Sequence, residues 1–405
     1  MRIFLLTIPL VLALTVRSQD TLTVMSYNIL NYPASNAGKA DTLKTIIKHV
    51  RPDIFMITEL TSGTGVQSIM SGALNVNGVT SYQAATYTDG PDTDNMMFYN
   101  SDKLVLYSQH EIPTVLRNIS EYVLYYKDPG LTVTSDTVFI YCYMAHLKAS
   151  SGTSNEQQRN QEAATMKSYM DTRPNIENII LGGDFNLYTS SEPAFSTILN
   201  GGNTTLLDPI NTPGSWGSNA AFAGVHTQST RLNNLGDGGA FGGLDDRFDF
   251  IFFGSDLPTG ANGLTYISGT YNALGNDGNH YNKSINDAPT NSSAPANVID
   301  ALYYMSDHLP ITLKAYLSGP AAVKETANET GWNVYLDHDQ LVISTGRYEN
   351  KTTLELYDLT GKMIASRSFS GTKQMRWSLP DLRQGMYLVK ISASGNQQSF
   401  KVVKQ

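Results

Sequence analysis

The sequence has one cysteine, Cys142, in 405 residues, so no disulfide within the chain can hold it together. Stability must come from core burial or from a bound metal. Cys142 stands inside the apolar run Val138–Met144, which marks it as a buried thiol and not a nucleophile. Long apolar runs are almost missing as well. The one at the N-terminus, Ile3–Val16, follows Arg2, is too short to cross a bilayer, and leads to the small residues Val16 and Ser18 ahead of Gln19. It reads as a secretory signal over residues 1–18. No later stretch suits a membrane helix, so no stable membrane insertion is expected. Clusters of Lys and Arg are also absent. Residues 19–318 carry 15 basic against 28 acidic residues, a net of −13, while 319–405 carry 11 against 8, a net of +3. That balance excludes a polyanion-coating role for the larger part.

What the chain does have is patterned. A 41% hydrophobic and 10% aromatic content suffices for packed cores, and the length predicts two or more folded units. Short β-rich runs recur at Leu22–Tyr27, Ile54–Thr58, Asn95–Tyr99, Thr137–Ala145, Ile179–Leu181, Phe248–Phe253 and Ile311–Tyr316. Helical stretches separate them. Asp41–Val50 has Asp41 near its N-cap and Leu43, Ile46 and Ile47 on one face, and Gln157–Asp171 reads alike. The pattern predicts an α+β sandwich of layers over residues 19–317. Two Gly/Asn-rich stretches, Asn211–Asp246 and Thr259–Val298, read as long functional loops, the second carrying Tyr266, Tyr271 and Tyr281 toward the cleft. Ser318–Thr330 is a polar linker, and residues 331–405 hold short alternating runs and turn signals (Leu359–Lys362, Arg383–Gly385) that predict a small all-β sandwich.

Polar residues with chemistry stand at the ends of the apolar runs. Asn28 ends one, Glu59 the next, and His146 a third. Asp184 and Asn186 lie in LGGDFN, Asp249 in RFDFI, and Asp307 and His308 in SDHLP. Each alone is ordinarily a turn or cap residue. Together they form a set of carboxylate and amide oxygens suited to a hard cation, with two imidazoles beside it, which is the equipment of metal-assisted hydrolysis.

The ordered set SYNI, ITEL, AHLKA, GGDFN, RFDFI and SDHLP resembles the endonuclease/exonuclease/phosphatase superfamily, the DNase I-like enzymes, over roughly residues 22–317. Its second metal motif usually reads QE, and Thr58-Glu59 keeps only the acid. The resemblance implies a four-layer DNase I-like α/β-sandwich followed by the small all-β sandwich. It implies Glu59 as the principal metal ligand with Asn28 beside it and Asp307 near the metal. Asp184 would orient or deprotonate the attacking water, and Asn186 would bind a phosphate oxygen. Asp249 and His308 would form a buried pair, with His146 as the second histidine. The expected cation is Mg²⁺, with Mn²⁺ or Ca²⁺ as alternatives. Arg159 and Arg231 are candidates for steering phosphate and His226 for facing the cleft. Asp89, Asp92 and Asp94 suggest a Ca²⁺ loop less than a solvated turn.

The tail, with Asn333–Tyr335, Leu356–Leu359 followed by TGK, LRQGMYLVKI and KVVK, resembles the C-terminal sorting domain of type IX secretion. It implies the type IX machinery as a partner and a secreted or cell-surface location. The leading expectation is a monomeric secreted nuclease with nucleic acid as substrate. A sphingomyelinase-like lipid phosphodiesterase or a phosphomonoesterase would use the same residues. A non-enzymatic binding module predicts loss of at least one ligand, and none is lost.

Overall fold

Strands whose every residue is apolar need cover on both faces, and the centre of this chain is built of them. A computed structural model describes residues 20–128, 137–317 and 332–404, apart from 338–339, 350, 359–360, 380–381, 383–384 and 394–395. The expected signal (1–18), the linker (318–330) and parts of both predicted turns of the tail lie outside the described residues. The chain divides into two units, Met1–Pro320 and Ala321–Gln405.

The first unit starts with β1 (Asp20–Tyr32), α1 (Ala40–Val50), β2 (Ile54–Leu60), α2 (Gly63–Ile69), β3 (Tyr82–Ala84) and β4 (Asp94–Asn100). It continues through β5 (Leu104–Ile112), β6 (Ile119–Tyr126), β7 (Phe139–His146), α3 (Thr153–Met170), β8 (Ile179–Asp184), α4 (Pro193–Asn200), β9 (Leu206–Leu207) and β10 (Asp249–Gly254). It closes with β11 (Leu264–Tyr266), β12 (Asn272–Ala273), α5 (Ala296–Met305) and β13 (Ile311–Leu317). One mixed sheet runs β11-β13-β1-β2-β4-β3, with β12 also on β13, and the other runs β5-β6-β7-β8-β10-β9.

Period-2 alternation sorts the second sheet's residues between two cores. Ile140, Cys142, Met144, Ile180, Ile251 and Phe253 join the cluster that contains Val24, Ile57 and Met97 of the first sheet. Their neighbours Tyr143, Ala145, Leu181, Phe250 and Phe252 pack instead with Ala163, Met166 and Met170 of α3 and Phe195 and Ile198 of α4. On the first sheet, Leu43, Ile46 and Ile47 of α1 and Val298, Ile299 and Leu302 of α5 belong to the same core. The order is helices, sheet, sheet, helices: the four-layer α+β sandwich. Cys142 is fully buried between the sheets, where burial pushes its thiol pKa far up and keeps it inert.

The second unit is all-β. Strands β14 (Trp332–Asp337), β15 (Gln340–Glu349) and β18 (Thr372–Ser378) form one sheet; β17 (Met363–Phe369), β16 (Thr352–Tyr357), β19 (Gly385–Ala393) and β20 (Asn396–Lys404) form the other. Leu341, Ile343, Leu354, Leu356, Trp377, Val389 and Ile391 make its core.

Some expected features come out differently. The stretch Thr259–Val298 holds β11, β12 and the start of α5, and its tyrosines pack inward: Tyr266 lies 4.7 Å from the Phe253 ring and Tyr281 5.9 Å from His226, while Tyr271 is half-buried against the core. Side-chain amides tie it down, Asn276 to the carbonyls of Ala223 and His226, Asn291 to those of Gly275 and Ile285. Asp41 sits in the first turn of α1, whose N-cap is Lys39.

Gly182 lets the two sheets approach, and Gly183 lets β8 lie close to its neighbour β7. A Cβ on Gly182 would lie 2.7 Å from Met56 Cε and 3.0 Å from Ser26 Cβ on the opposite sheet. Gly183, at φ +148°, would place one 1.8 Å from Ala145 O on β7. Gly183→Ala is therefore expected to cost more than about 3 kcal/mol or to prevent folding, whereas Gly269→Ala, at φ +79° with open space around it, should cost only about 1–2 kcal/mol. Urea melts of the two variants check the contrast; equal losses would mean that the close approach carries no strain.

Candidate active site

Pairing register brings the polar strand ends together. His146 of β7 lies opposite Asp184 of β8, and Asp184 opposite Asp249 of β10, so three of the expected residues form one rank across adjacent strands. In the other sheet Asn28 of β1 pairs with Thr58 of β2, and the register then slips before Tyr32 meets Leu60. The slip places Leu30 (φ 51°), Asn31 (φ 44°) and Glu59 (φ 62°) in left-handed backbone, a strain that turns Glu59 out of the ladder.

Asn28 joins the sheets. Its Oδ1 accepts from Leu30 N at 3.0 Å, so its Nδ2 must face the acids, and it donates to Glu59 Oε1 (2.8 Å) and across the gap to Asp184 Oδ2 (3.0 Å). Asn28 is thus a donor that orients two carboxylates. Glu59 Oε2 also accepts from Asn31 N (3.0 Å), and Asp184 Oδ1 from Asn186 N (3.1 Å). Asn186, in left-handed backbone, donates its own Nδ2 to Leu147 O at 3.2 Å. Burial pushes the carboxyl pKa of Glu59 and of Asp184 up, against the pull of His308 on both.

The histidines are used unequally. His146 Nε2 lies 3.5 Å from Asp184 Oδ2 and 4.0 Å from Glu59 Oε1, but its Nδ1 has no hydrogen-bond partner among the described residues. Burial, with Arg117 and His308 nearby, holds its pKa well below the ordinary histidine value. His308 Nδ1 lies 2.8 Å from Asp249 Oδ2, and its Nε2 3.6 Å from Asp184 Oδ2. Burial alone would depress it too, yet Asp249, Asp184 and Asp307 hold it well above the ordinary value. Asp307 Oδ2 accepts from Ala240 N (2.7 Å) and from Gln228 Nε2 (3.0 Å), and Gln228 Nε2 also reaches His308 Nε2 (2.7 Å). Sequence reasoning missed Gln228, which sits in a Gly/Asn-rich stretch without periodicity.

The donor set suits a divalent cation. Glu59 Oε1, Asp184 Oδ2 and His146 Nε2 lie within 4.8 Å of one another. Among the described residues neither carboxylate has a Lys or Arg partner in salt-bridge range. Nearly buried acids without a Lys or Arg partner call for an ion of their own.

Three expected substrate contacts are not brought to this cluster. Arg159 is fully buried, with Nε 2.8 Å from Glu192 Oε2 and Nη1 on the carbonyls of Lys148 and Ser150. Arg231 is fully buried and forks onto both oxygens of Asp237 at 2.9 and 2.8 Å. His226, also buried, holds Trp216 O at 2.9 Å. Each of the three has an internal partner, although Nε and Nη2 of Arg231 have no hydrogen-bond partner among the described residues. Asp89 and Asp92 are exposed ahead of β4, Asp92 pairing with Arg117, whereas Asp94 is not part of a solvated turn: it is the buried first residue of β4 and accepts from Tyr87 and Gly90.

The chain belongs to the endonuclease/exonuclease/phosphatase family, whose model matches residues 25–308, and it is a phosphoester hydrolase. Residues 337–405 match the secretion system C-terminal sorting domain, which directs the chain through type IX secretion to the cell surface or beyond. No curated protein matches it. Similar solved structures include D. rerio TDP2 complexed with single-strand DNA product, at 17% identity over 73% of this chain and 99% of that one, with a TM-score of 0.49. The human Nocturnin catalytic domain is 16% identical over 74% and 98% of the two chains, TM-score 0.42. Sphingomyelinase C from Streptomyces griseocarneus is 13% identical over 74% and 100%, TM-score 0.40.

Asp237 gives a test of the buried charge beside Asp307. It also binds Lys39 Nζ at 3.1 Å, so one carboxylate holds two buried cations. Asp237→Asn should cost about 3–5 kcal/mol, because it leaves both cations uncompensated. Burial works to raise the Asp237 pKa, but Arg231 and Lys39 outweigh it and depress it from 3.8 to about 2. A depressed carboxylate stabilises the fold above its unfolded value, and that contribution fades as pH falls through about 2. Denaturant midpoints measured from pH 6 downward should converge for the two proteins in acid. A constant offset would show that the pair does not matter.

Proposed function

We propose that the chain is a divalent-cation-dependent phosphodiester hydrolase acting on nucleic acid outside the cell, with Mg²⁺ as its cation. What supports this best is the juxtaposition of Glu59 and Asp184, nearly buried and without a basic partner, with the Asp249–His308 pair 3.6 Å away. Glu59 and Asp184 would hold the cation, with Asp307 on its flank. The bound cation neutralises phosphate charge and lowers the pKa of water. Asp184, its two oxygens oriented by Asn28 and Asn186, takes the proton of the attacking water. His308, its ring fixed through Nδ1 by Asp249, stands on the phosphate side of the site. His146, kept neutral by burial, stands on the leaving-group side, and Asn186 binds a second phosphate oxygen.

A diester fits better than a monoester. A monoester brings a second negative charge, and the nearby arginines are already paired: Arg159 with Glu192, Arg231 with Asp237, Arg247 with Asp208, Arg117 with Asp92. A lipid phosphodiester is the second reading. It is favoured by Leu232, Leu235 and Phe241, all exposed on the loop whose Ala240 N holds Asp307. Hydrolysis of plasmid DNA, RNA, sphingomyelin vesicles and p-nitrophenyl phosphate, with and without EDTA, separates these readings. Cleavage of the nucleic acids only, abolished by EDTA, is expected; turnover of vesicles alone would establish the lipid reading instead.

Glu59→Gln should abolish turnover at low Mg²⁺ and recover partly as Mg²⁺ rises, because an amide gives up roughly one charge at the cation. Full activity of this variant in EDTA would end the metal mechanism. His308→Ala and Asp249→Ala should each lower kcat by orders of magnitude, and the double variant by little more than the worse single one. Additive losses would mean that the pair does not act as a unit.

A further inference from the structure

Gln228 stands at the junction of the two halves of the site, and no sequence motif marks it. Its backbone is clamped to the segment before β10: Gln228 N donates to Asp246 O at 3.1 Å, and its carbonyl accepts from Asp245 N and Asp246 N, both at 2.8 Å. Thr227 beside it accepts from Phe248 N and Asp249 N through Oγ1, both at 3.1 Å. The side chain therefore springs from a fixed point next to the strand that carries Asp249. From there a single amide nitrogen reaches two site residues, Asp307 Oδ2 at 3.0 Å and His308 Nε2 at 2.7 Å. These contacts tie together neighbours whose tasks differ. Asp307 flanks the cation, and His308 Nε2, the nitrogen turned away from Asp249, accepts from the amide.

One nitrogen can serve both partners because a primary amide has two N–H groups. An aliphatic side chain in its place would leave the Asp307 oxygen with Ala240 N alone and would free the ring to pivot about its bond to Asp249. We propose that Gln228 is a positioning residue of the hydrolytic site: its amide sets the spacing between the Asp307 carboxylate and the His308 ring, so that the cation side and the phosphate side are assembled together. This role rests on the reading of the site as a metal-dependent phosphodiesterase.

The experiment uses the full chain and bis(p-nitrophenyl) phosphate, a diester probe that does not presuppose nucleic acid, with a Mg²⁺ titration. Gln228→Ala should lower kcat about 10–100-fold, the range for partners that orient active groups. KM should stay within about threefold, and the Mg²⁺ needed for half activity should rise. Gln228→Asn keeps the amide but is one methylene too short for both partners, so it should show the same kcat-selective loss. It also carries the test if the alanine variant does not fold. Wild-type kcat and Mg²⁺ dependence in either folded variant would overturn the role. So would a loss that tracks only the unfolded fraction, because a purely structural residue leaves the folded molecules fully active. If the wild type itself fails to hydrolyse the probe with Mg²⁺ or Mn²⁺, the phosphodiesterase reading falls, and this role falls with it.

Discussion

Four carboxylates, Glu59, Asp184, Asp249 and Asp307, are brought to one end of a sandwich where water is largely excluded, and their mutual repulsion is the constraint around which the surroundings are organised. Burial of uncompensated charge is costly, so every oxygen that can be given a donor has one. Asn28 serves two acids at once, and backbone N–H groups of Asn31, Asn186 and Ala240 serve three. Among the described residues the shortest contact of these acids with a potentially cationic group is that of Asp249 with His308, at 2.8 Å. The remaining deficit of positive charge is what makes the cluster a place for a cation.

The same logic explains why arginine is spent elsewhere. A guanidinium inside the cluster would satisfy the acids and close the site to an ion. Arg159, Arg231 and Arg247 instead neutralise Glu192, Asp237 and Asp208, at distances of 2.8 Å each, and act as rigid struts under the loops. A basic residue in a sequence shows its charge but not its partner, which is why Arg159 and Arg231 read as phosphate contacts before the fold was on view.

Much of the scaffold is legible because its strands are buried on both faces and so appear as unbroken apolar runs, with the chemistry placed where each run stops. Asn28, Glu59, His146, Asp184 and Asp249 could be found that way. Other elements hide for identifiable reasons. Helix α3 is legible from Gln157 on, but its inner stripe is not, because Arg159, Glu162 and Lys167 line it along with Ala163, Met166 and Met170. Strand β5 alternates little because most of it is only half covered. Gln228 owes its place to backbone bonds with Asp245 and Asp246, a relation between loops that no local pattern encodes.

The glycine pair of β8 has a further consequence. With no side chain at Gly182 to act as a spacer, the distance between the sheets is set by the bulk of Met56 and Ser26 against bare backbone. Glu59 and Asn28 ride on one slab, and His146, Asp184 and Asp249 on the other. The gap therefore works as a calliper: its opening is the separation of the side chains that the two slabs carry. Conservative exchanges at Met56 or Ile180, both buried in the core, would then change how far apart those side chains stand.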